Sequence, residues 1–376
     1  METVSLFDIV PEESEKFKPI KSTDWKWSFA DYPKEKNGLK VFSCFACGGG
    51  STMGYKLAGC DVLGCCEIDK QMNEIYVKNH NPKYNFLMDI REFNKIPDEE
   101  IPQELFNLDI LDGSPPCTTF SIAGQREESW GKKKKFREGQ AEQTLDDLSF
   151  VFIETVAKLK PKVVIMENVE GLLKGEAWKY VQGIYKKLND IGYSCRHWLL
   201  KGENMGVPQA RHRVFFIALR NDIDFDLNNL DMAFNYEPVT YSDIKTGKGD
   251  EYKKSSQQYR MLEMAIENLD HSVGDVLKRT GQKKRCFNDK IVWESEVLPT
   301  LSAKGNLSDG HEKTRISRET AISMSTFPQD YDFGTKSYNG VAYVCGMSVP
   351  PVMIKRIVTR LIESGLFNYK TSIETN

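Results

Sequence analysis

Apolar and polar positions between residues 39 and 168 alternate in blocks that predict strands and helices in turn. The predicted strands are the apolar runs LKVFSCFA (39–46), DVLGCCEID (61–69), a strand near NFLMD (85–89), one that ends at LDGS (111–114) and KVVIMEN (162–168). The predicted helices are a short one around YKLAG (55–59), one at 70–80 and a long amphipathic one from Thr144 to about Leu159. This order predicts an α/β fold, with a mainly parallel sheet and helices on both faces.

The rest of the chain completes this unit and adds a second one. A helix around 172–190 is followed by the runs YSCRHWLL (193–200) and RVFFIALR (213–220), which predict an antiparallel hairpin. Beyond Asn221 the periodicity is weak, and the apolar stretch 341–364 then predicts a strand, a turn and a helix. The predicted organisation is an N-terminal extension (1–38), a main α/β domain (39–220), a smaller domain (221–338) and a C-terminal strand and helix (339–376) that return to the main domain.

Composition narrows the class of protein. The chain has 376 residues, 40% of them hydrophobic and 28% charged, enough to bury a core in two domains. Its start lacks the basic and then apolar pattern of a signal peptide, and no run approaches the roughly 18 uncharged apolar residues of a membrane span. We therefore predict a cytoplasmic protein that does not contact a membrane.

The nine cysteines lie mostly in apolar runs, which indicates reduced core thiols rather than disulfides. Cys44 and Cys47 have CxxC spacing, but no histidine accompanies them, so we predict no metal site. The net charge of −3 argues against nonspecific binding to polyanions. Two windows, 125–137 and 278–290, are nevertheless strongly basic, and they are either solvated surface or contacts to phosphates.

The glycine-rich segment FACGGGSTMG (45–54) lies between a predicted strand and a predicted helix. Backbone amides and a helix N-terminus at such a turn can hold a negatively charged group. Glu67 ends the next strand, where a carboxylate can accept both hydroxyls of a ribose, and Asp89 could accept from an adenine amino group. NAD, FAD, nucleotides and S-adenosylmethionine all use such turns, but the spacing is not GxGxxG, which disfavours a dinucleotide.

Polar residues also follow the later strands of the predicted sheet. Cys117 comes after the fourth strand, Glu167 and Asn168 end the fifth, and QARHR (209–213) precedes a hairpin strand. Ligands bind beyond the carboxyl ends of strands in open α/β sheets, so these side chains can converge. Each alone has a simpler explanation, namely an inert thiol, a capping carboxylate or structural ion pairs. A carboxylic acid at the end of a buried strand nevertheless requires a polar partner.

The motifs together resemble the DNA cytosine-5 methyltransferase family over about residues 40–366. The matching segments are FACGGGSTMG, SPPC, ENV, QARHR, LPTLSAKGN and GMSVPP, in the family's order. The resemblance implies a Rossmann-like S-adenosylmethionine-dependent methyltransferase fold with a smaller target-recognition domain. It also implies site-specific methylation of cytosine C5 in double-stranded DNA after the base is flipped out of the helix.

In this comparison Cys117 attacks cytosine C6, Glu167 holds the N3 and amino edge, and Arg211 and Arg213 bind the O2 edge or steady the thiol. The implied cofactor-binding residues are Phe45, Ala46, Cys47, Gly49, Gly50, Glu67, Ile68, Asp89, Ile90, Pro116, Leu145, Met347, Ser348 and Val349. The implied DNA-binding residues are Ser121, Gln125, Lys132, Lys133, Lys134, Lys135, Gln209, Lys283, Lys284, Arg285, Ser302 and Lys304. The product of the cofactor would be S-adenosylhomocysteine.

Two positions depart from the family pattern: Cys47 replaces a usual glycine and Met347 replaces a usual asparagine. The departures suggest a reshaped cofactor site, with weaker binding of S-adenosylmethionine or tolerance of a variant sulfonium, although unmodified S-adenosylmethionine remains the prediction. The alternatives are a tRNA cytosine-5 methyltransferase, a catalytically silent DNA-binding relative and a nucleotide-dependent oxidoreductase. We expect a monomer, and the sequence leaves open whether a cognate restriction endonuclease exists and which bases are recognised.

Overall fold

A computed structural model describes residues 18–116, 148–282 and 289–368, without the side chain of Glu176. The predictions for Cys117, Ser121, Gln125, Lys132, Lys133, Lys134, Lys135, Leu145, Lys283, Lys284 and Arg285 lie outside these residues.

A seven-stranded sheet organises the main domain. Its strands are β1 (Lys40–Cys44), β2 (Asp61–Glu67), β3 (Tyr84–Leu87), β4 (Ile110–Gly113), β5 (Val163–Val169), β6 (Tyr193–Lys201) and β7 (His212–Arg220). They lie in the order β3-β2-β1-β4-β5-β7-β6. The first five are parallel, whereas β7 is antiparallel to both β5 and β6. Both the parallel sheet and the hairpin predicted from the sequence are present.

Helices cover both faces of this sheet. The α-helices of the whole described chain are α1 (Gly50–Leu57), α2 (Lys70–His80), α3 (Ile90–Lys95), α4 (Leu148–Leu159), α5 (Trp178–Asp190), α6 (Tyr241–Ile244), α7 (Gln257–Met264), α8 (Val273–Arg279), α9 (Arg318–Met324), α10 (Tyr338–Met347) and α11 (Pro351–Glu363), and not all of them contact this sheet. One buried apolar cluster joins α3, α4 and α5 to one face, and a second joins α1 and α11 to the other. The sheet is therefore buried on both sides, which explains the continuous apolar runs of its strands.

The predicted strand within residues 341–346 is wrong, because these residues belong to α10. Val341, Ala342, Val344 and Cys345 are all buried, so the helix has no long polar face. A short apolar run without alternation cannot be assigned to strand or helix by periodicity alone.

Two helix boundaries also differ from the predictions. The segment predicted as a turn already contains the start of α1, since Gly50 and Gly54 are helical. A Cβ on Gly50 would lie 2.1 Å from the Val349 carbonyl oxygen, so the glycines let α1 approach the segment before α11. The helix predicted from 172 begins only at Trp178, after two 3-10 turns at Glu170–Leu173 and Gly175–Ala177.

The region after residue 221 forms a small sheet and short helices. Its strands β8 (Lys290–Val292), β9 (Leu307–Asp309) and β10 (Thr314–Arg315) lie in the order β10-β9-β8. One apolar cluster joins this region to α1 and α2 of the main domain, and Trp25 from the N-terminal segment belongs to the same cluster. The small region thus packs against the end of the sheet where β1 leads into α1.

Within the described ranges, one stretch, Tyr338–Glu363, is long and apolar enough to cross a membrane by length and composition alone. It comprises α10 and α11, and 72% of its most apolar window is buried inside the protein. Core helices pass the same test, so this stretch is weak evidence for a membrane span.

Candidate active site

The loop between β1 and α1 has an unusual backbone. Phe45, Cys47 and Gly49 all have positive φ angles, of 57°, 48° and 80°. The first two are not glycines, and such residues rarely adopt this conformation unless surrounding contacts hold them there. Phe45 donates its backbone N–H to the Cys66 carbonyl oxygen at 2.9 Å. The loop is thereby attached to the neighbouring strand before it enters α1.

Glu67, at the end of β2, hydrogen-bonds to the backbone of the same loop. Its two carboxylate oxygens accept the backbone N–H groups of Cys47 at 2.8 Å and Asp69 at 2.7 Å. Burial raises the pKa of Glu67, while these backbone hydrogen bonds act in the opposite direction. The carboxylate therefore connects the loop after β1 to the turn after β2, at the edge of a pocket.

This pocket is an open cleft that encloses about 730 Å³ when the space at its mouth is included. Of the predicted cofactor-binding residues, those that line it are Phe45, Cys47, Glu67, Ile68, Asp89, Ile90, Pro116 and Met347. Ala46, Gly49, Gly50, Ser348 and Val349 belong to the bordering segments but do not line it.

Sequence reasoning missed seven lining residues: Cys66, Asp69, Met72, Met88, Ser114, Leu148 and Tyr343. Three of them, Cys66, Asp69 and Met88, are direct neighbours in sequence of predicted residues, so the motifs themselves were the signal for these three. Tyr343 lies on α10, which the sequence presented as a strand.

The side chains that line the pocket suit an adenosine with a positively charged substituent. Glu67, Asp69 and Asp89 are three carboxylates that can accept hydroxyl and amino hydrogens, and Phe45 and Ile90 offer apolar surface for a flat ring. The pocket thus has the chemistry that S-adenosylmethionine needs. Within the described ranges, no three His, Cys, Asp or Glu side chains could hold a metal ion.

Glu167 and Arg213 form an ion pair beside this pocket. Arg213 Nε lies 2.8 Å from Glu167 Oε1, and both side chains are mostly buried. The antiparallel pairing of β5 with β7 brings these two side chains together. Arg213 lies opposite Val169, which is two residues after Glu167 on β5, so Glu167 and Arg213 lie on the same face of the sheet. The pair orients the carboxylate and satisfies one of its oxygens.

Arg211 lies deeper in the protein. Its Nη1 donates to the Gly346 carbonyl oxygen at 3.3 Å, and its buried Nε has no hydrogen-bond partner among the described residues. Burial, reinforced by the charge of Arg213, lowers its pKa to about 9, although Glu167 acts to raise it. Both guanidinium groups therefore affect Glu167. Arg213 contacts its carboxylate directly, and Arg211 interacts with it electrostatically.

The turn that carries SPPC starts between the pocket and this pair. Ser114 Oγ donates to the Phe45 carbonyl oxygen at 3.2 Å, and Asn168 Nδ2 donates to the Pro115 carbonyl oxygen at 3.3 Å. Pro116 lines the pocket. The described part of the turn is thus fixed to the cofactor loop on one side and to β5 on the other, immediately before Cys117.

A further acid, Asp112, was not predicted. It is buried in β4 and accepts hydrogen bonds from Ser43 Oγ at 2.7 Å and Tyr55 OH at 3.0 Å. Burial raises its pKa to about 7, against the lowering effect of these hydrogen bonds. An aspartate inside the apolar run ILDG was the sequence signal that could have identified it.

The predicted DNA contacts have different surroundings. Gln209 is buried, where its Nε2 donates to the Met324 carbonyl oxygen and its Oε1 accepts the Leu301 N–H, both at 3.2 Å. In this conformation the Gln209 amide joins two segments of the smaller region instead of facing a ligand. Ser302 and Lys304 are exposed, and the backbone of Ser302 lies directly over Gly346.

Comparison with known proteins agrees with this arrangement. The family profile for C-5 cytosine-specific DNA methylase matches residues 39–363. Among curated relatives, the type II methyltransferase M.NgoPII of Neisseria gonorrhoeae is 27% identical over 85% of this chain and 94% of its own length. The type II methyltransferase M.HhaI of Haemophilus parahaemolyticus is 30% identical over 79% of this chain and 86% of its own.

Solved structures share the fold. A protein encoded within an E. coli prophage superposes with a TM-score of 0.62 at 19% identity, over 88% of this chain and all of the other. Spodoptera frugiperda DNMT2, as a triple mutant, gives 0.61 at 15% identity over 86% of this chain. The predicted Rossmann-like methyltransferase fold is confirmed. The family profile thus spans most of the chain, and the ion pair, the pocket and residues 114–116 lie together at one edge of the sheet. The chain therefore belongs to the C-5 cytosine-specific DNA methylase family.

Proposed function

We propose that this protein is a site-specific DNA cytosine-5 methyltransferase that uses S-adenosylmethionine and a covalent attack by Cys117. The ion pair between Glu167 and Arg213 is the observation that carries the proposal. It lies next to Asn168, which hydrogen-bonds to Pro115, two residues before Cys117. The pair supplies an acid whose orientation is fixed by a cation.

The pocket residues have distinct tasks in this proposal. Glu67 would accept the ribose hydroxyls and Asp89 the adenine amino group, while Phe45 and Ile90 pack on the ring. The N-terminus of α1 borders the pocket, and its backbone N–H groups and partial positive charge would attract the carboxylate of the ligand. Bound S-adenosylmethionine would supply an electrophilic methyl group.

Cys117 and Glu167 would prepare the base. The Cys117 thiolate bonds to cytosine C6, and the displaced electron pair makes C5 nucleophilic. Glu167 holds N3 and favours its protonation as charge develops there, and Arg213 keeps the carboxylate in place while Arg211 adds positive potential. After C5 has been methylated, loss of the C5 proton expels the thiolate and restores the aromatic ring.

The remaining parts of the proposal concern the partner and the setting. The substrate is double-stranded DNA, and the target base must leave the stack because C6 is out of reach inside the duplex. Candidate phosphate and base contacts are Ser121, Gln125, Lys132, Lys133, Lys134, Lys135, Lys283, Lys284, Arg285, Ser302 and Lys304. We further propose a monomer in the cytoplasm of a bacterium or an infected cell, with a cognate restriction endonuclease as a candidate partner.

Incubation with tritiated S-adenosylmethionine and either duplex DNA or tRNA tests the proposal. Label is expected in DNA with the wild-type protein and not with Cys117→Ser. An oligonucleotide that carries 5-fluorocytosine should form an adduct with the wild-type protein that resists denaturant. Label only in tRNA, or the absence of an adduct, would contradict the proposal.

A further inference from the structure

The Gly48 carbonyl of the cofactor loop is contacted by two side chains from distant parts of the chain. Tyr331 OH donates to the Gly48 carbonyl oxygen at 2.5 Å, across a sequence separation of 283 residues. His80 Nε2, at the end of α2, lies 3.4 Å from the same oxygen. Tyr331 belongs to the segment between α9 and α10, so a side chain from the smaller region reaches the loop that borders the pocket.

Both side chains are held firmly in place. Tyr331 is buried and packs against Phe327 and Phe333, with ring centroids at 5.0 and 4.6 Å. His80 packs against the Tyr76 ring at 4.7 Å, and burial lowers its pKa to about 3, so the imidazole is neutral. A neutral imidazole can donate from Nε2 when the proton is on that nitrogen.

The loop leaves little space between these groups. A Cβ on Gly49, whose φ is +80°, would lie 2.1 Å from His80 Nε2. A Cβ on Gly48 would lie 2.5 Å from Val344 and 3.2 Å from Tyr331 OH. The carbonyl of Gly48 therefore has one well-defined direction, which in turn restricts the peptide units of Cys47 and Gly49 on either side.

We propose that Tyr331, assisted by His80, is a positioning residue that holds the cofactor loop in the conformation that binds S-adenosylmethionine. The inference rests on the proposed function and extends it to a residue outside the pocket. Neither side chain lines the pocket, so their effect must pass through the loop backbone. Glu67 fixes the Cys47 N–H on one side, and Tyr331 fixes the Gly48 carbonyl on the other.

The magnitude follows from the population of the competent loop. Without the Tyr331 hydroxyl, a buried carbonyl loses a hydrogen-bond donor, and the loop gains conformations in which that carbonyl turns toward water. The apparent dissociation constant rises as the inverse of the fraction that remains competent. We expect about a fivefold increase, the size of one net hydrogen bond.

The chain offers a matched control. Tyr338 OH also donates to a glycine carbonyl, that of Gly305, at 2.9 Å, within the same apolar cluster. Tyr331→Phe and Tyr338→Phe thus remove the same type of bond from similarly buried tyrosines, but only the first touches the cofactor loop. A merely structural role would lower the melting temperature in both variants and change cofactor binding in neither.

The test is calorimetric titration of S-adenosylmethionine into wild type, Tyr331→Phe and Tyr338→Phe, with steady-state methylation of duplex DNA. We expect about a fivefold higher Kd and KM for S-adenosylmethionine in Tyr331→Phe, with kcat and the KM for DNA unchanged. In the absence of ligand, backbone amide hydrogen exchange of residues 45–50 should be faster in Tyr331→Phe than in wild type, and unchanged in Tyr338→Phe. Equal Kd values in the three proteins would overturn the inference and leave the proposed function intact. Absence of binding to the wild type would overturn the proposed function, and the inference with it.

Discussion

Replacing Asp112 by asparagine should remove a specific part of the pH dependence of stability. Asp112 is 3% exposed and lies in the centre of the sheet, where Ser43 and Tyr55 donate to its carboxylate. Burial raises its pKa from the usual 3.8 to about 7, and the nearby charge of Glu167 adds to this effect. Asparagine has nearly the same shape but does not titrate.

The direction follows from the proton count in the two states. In the unfolded chain Asp112 ionises near its usual pKa, whereas in the folded protein it stays protonated up to about pH 7. Between these values the native state holds one proton more, so this residue makes the free energy of unfolding fall as pH rises. A difference of about three pKa units corresponds to about 4 kcal/mol in total, of which about 3 kcal/mol lies between about pH 5 and about pH 8.

Urea denaturation of wild type and Asp112→Asn across this pH range measures the difference directly. The stability of the variant relative to wild type should improve by up to about 3 kcal/mol from about pH 5 to about pH 8. Asp309→Asn is the contrast. Burial of Asp309 opposes its ionisation, but Lys245 and other hydrogen bonds outweigh burial and lower its pKa. The stability that Asp309 contributes is lost only in acid. The free energy of unfolding of Asp309→Asn relative to wild type should therefore stay constant over the same pH range. Parallel curves for wild type and Asp112→Asn would refute the assignment.

Three further predictions concern the site and the sheet. Glu167→Gln should reduce single-turnover methylation by about 10²- to 10⁴-fold while S-adenosylmethionine still binds; activity within tenfold of wild type would exclude a proton-transfer role. Gly64→Ala should lower the free energy of unfolding by about 1–3 kcal/mol in thermal denaturation, because a Cβ would lie 1.8 Å from the Tyr84 carbonyl oxygen. Gly183→Ala is its control, since that Cβ meets only the Phe150 ring at 3.1 Å. Met347→Asn should tighten binding of S-adenosylmethionine about threefold in calorimetry, since an amide can hydrogen-bond at the pocket wall; an unchanged Kd would remove the case for a reshaped site.

The sheet could be predicted because the apolar pattern that defines each strand lies within a few consecutive residues. Strands such as Val163–Val169 are buried on both faces, which produces continuous apolar runs. In addition, β1, β2 and β3 are each followed by a helix after a few residues. The site residues at strand ends followed from the same pattern, because parallel strands place their carboxyl ends at one edge. Glu167, Glu67 and Asp89 lie at that edge.

The errors have equally physical causes. The more exposed face of the helix Tyr338–Met347 carries Asn339, Tyr343, Gly346 and Met347, of which only Asn339 is strongly polar. The sequence pattern therefore does not reveal the helical period. In the smaller region β8, β9 and β10 have only three, three and two residues, too few to establish an alternating pattern. The burial of Gln209 could not be predicted either, because it depends on contacts with residues 301 and 324 that no local pattern reveals. Its role in DNA binding stays a prediction.

The conformation of the cofactor loop shows most clearly what a motif cannot contain. The letters FACGGG indicate that a turn is needed, but the positive φ angles at Phe45 and Cys47 are unfavourable for those side chains. They persist because Glu67, His80 and Tyr331 contact the loop from 20, 32 and 283 residues away. The last of these contacts comes from the region proposed to read DNA. A change that DNA binding imposes on the segment after α9 would therefore reach the cofactor loop through the Tyr331 hydroxyl, which does not line the pocket.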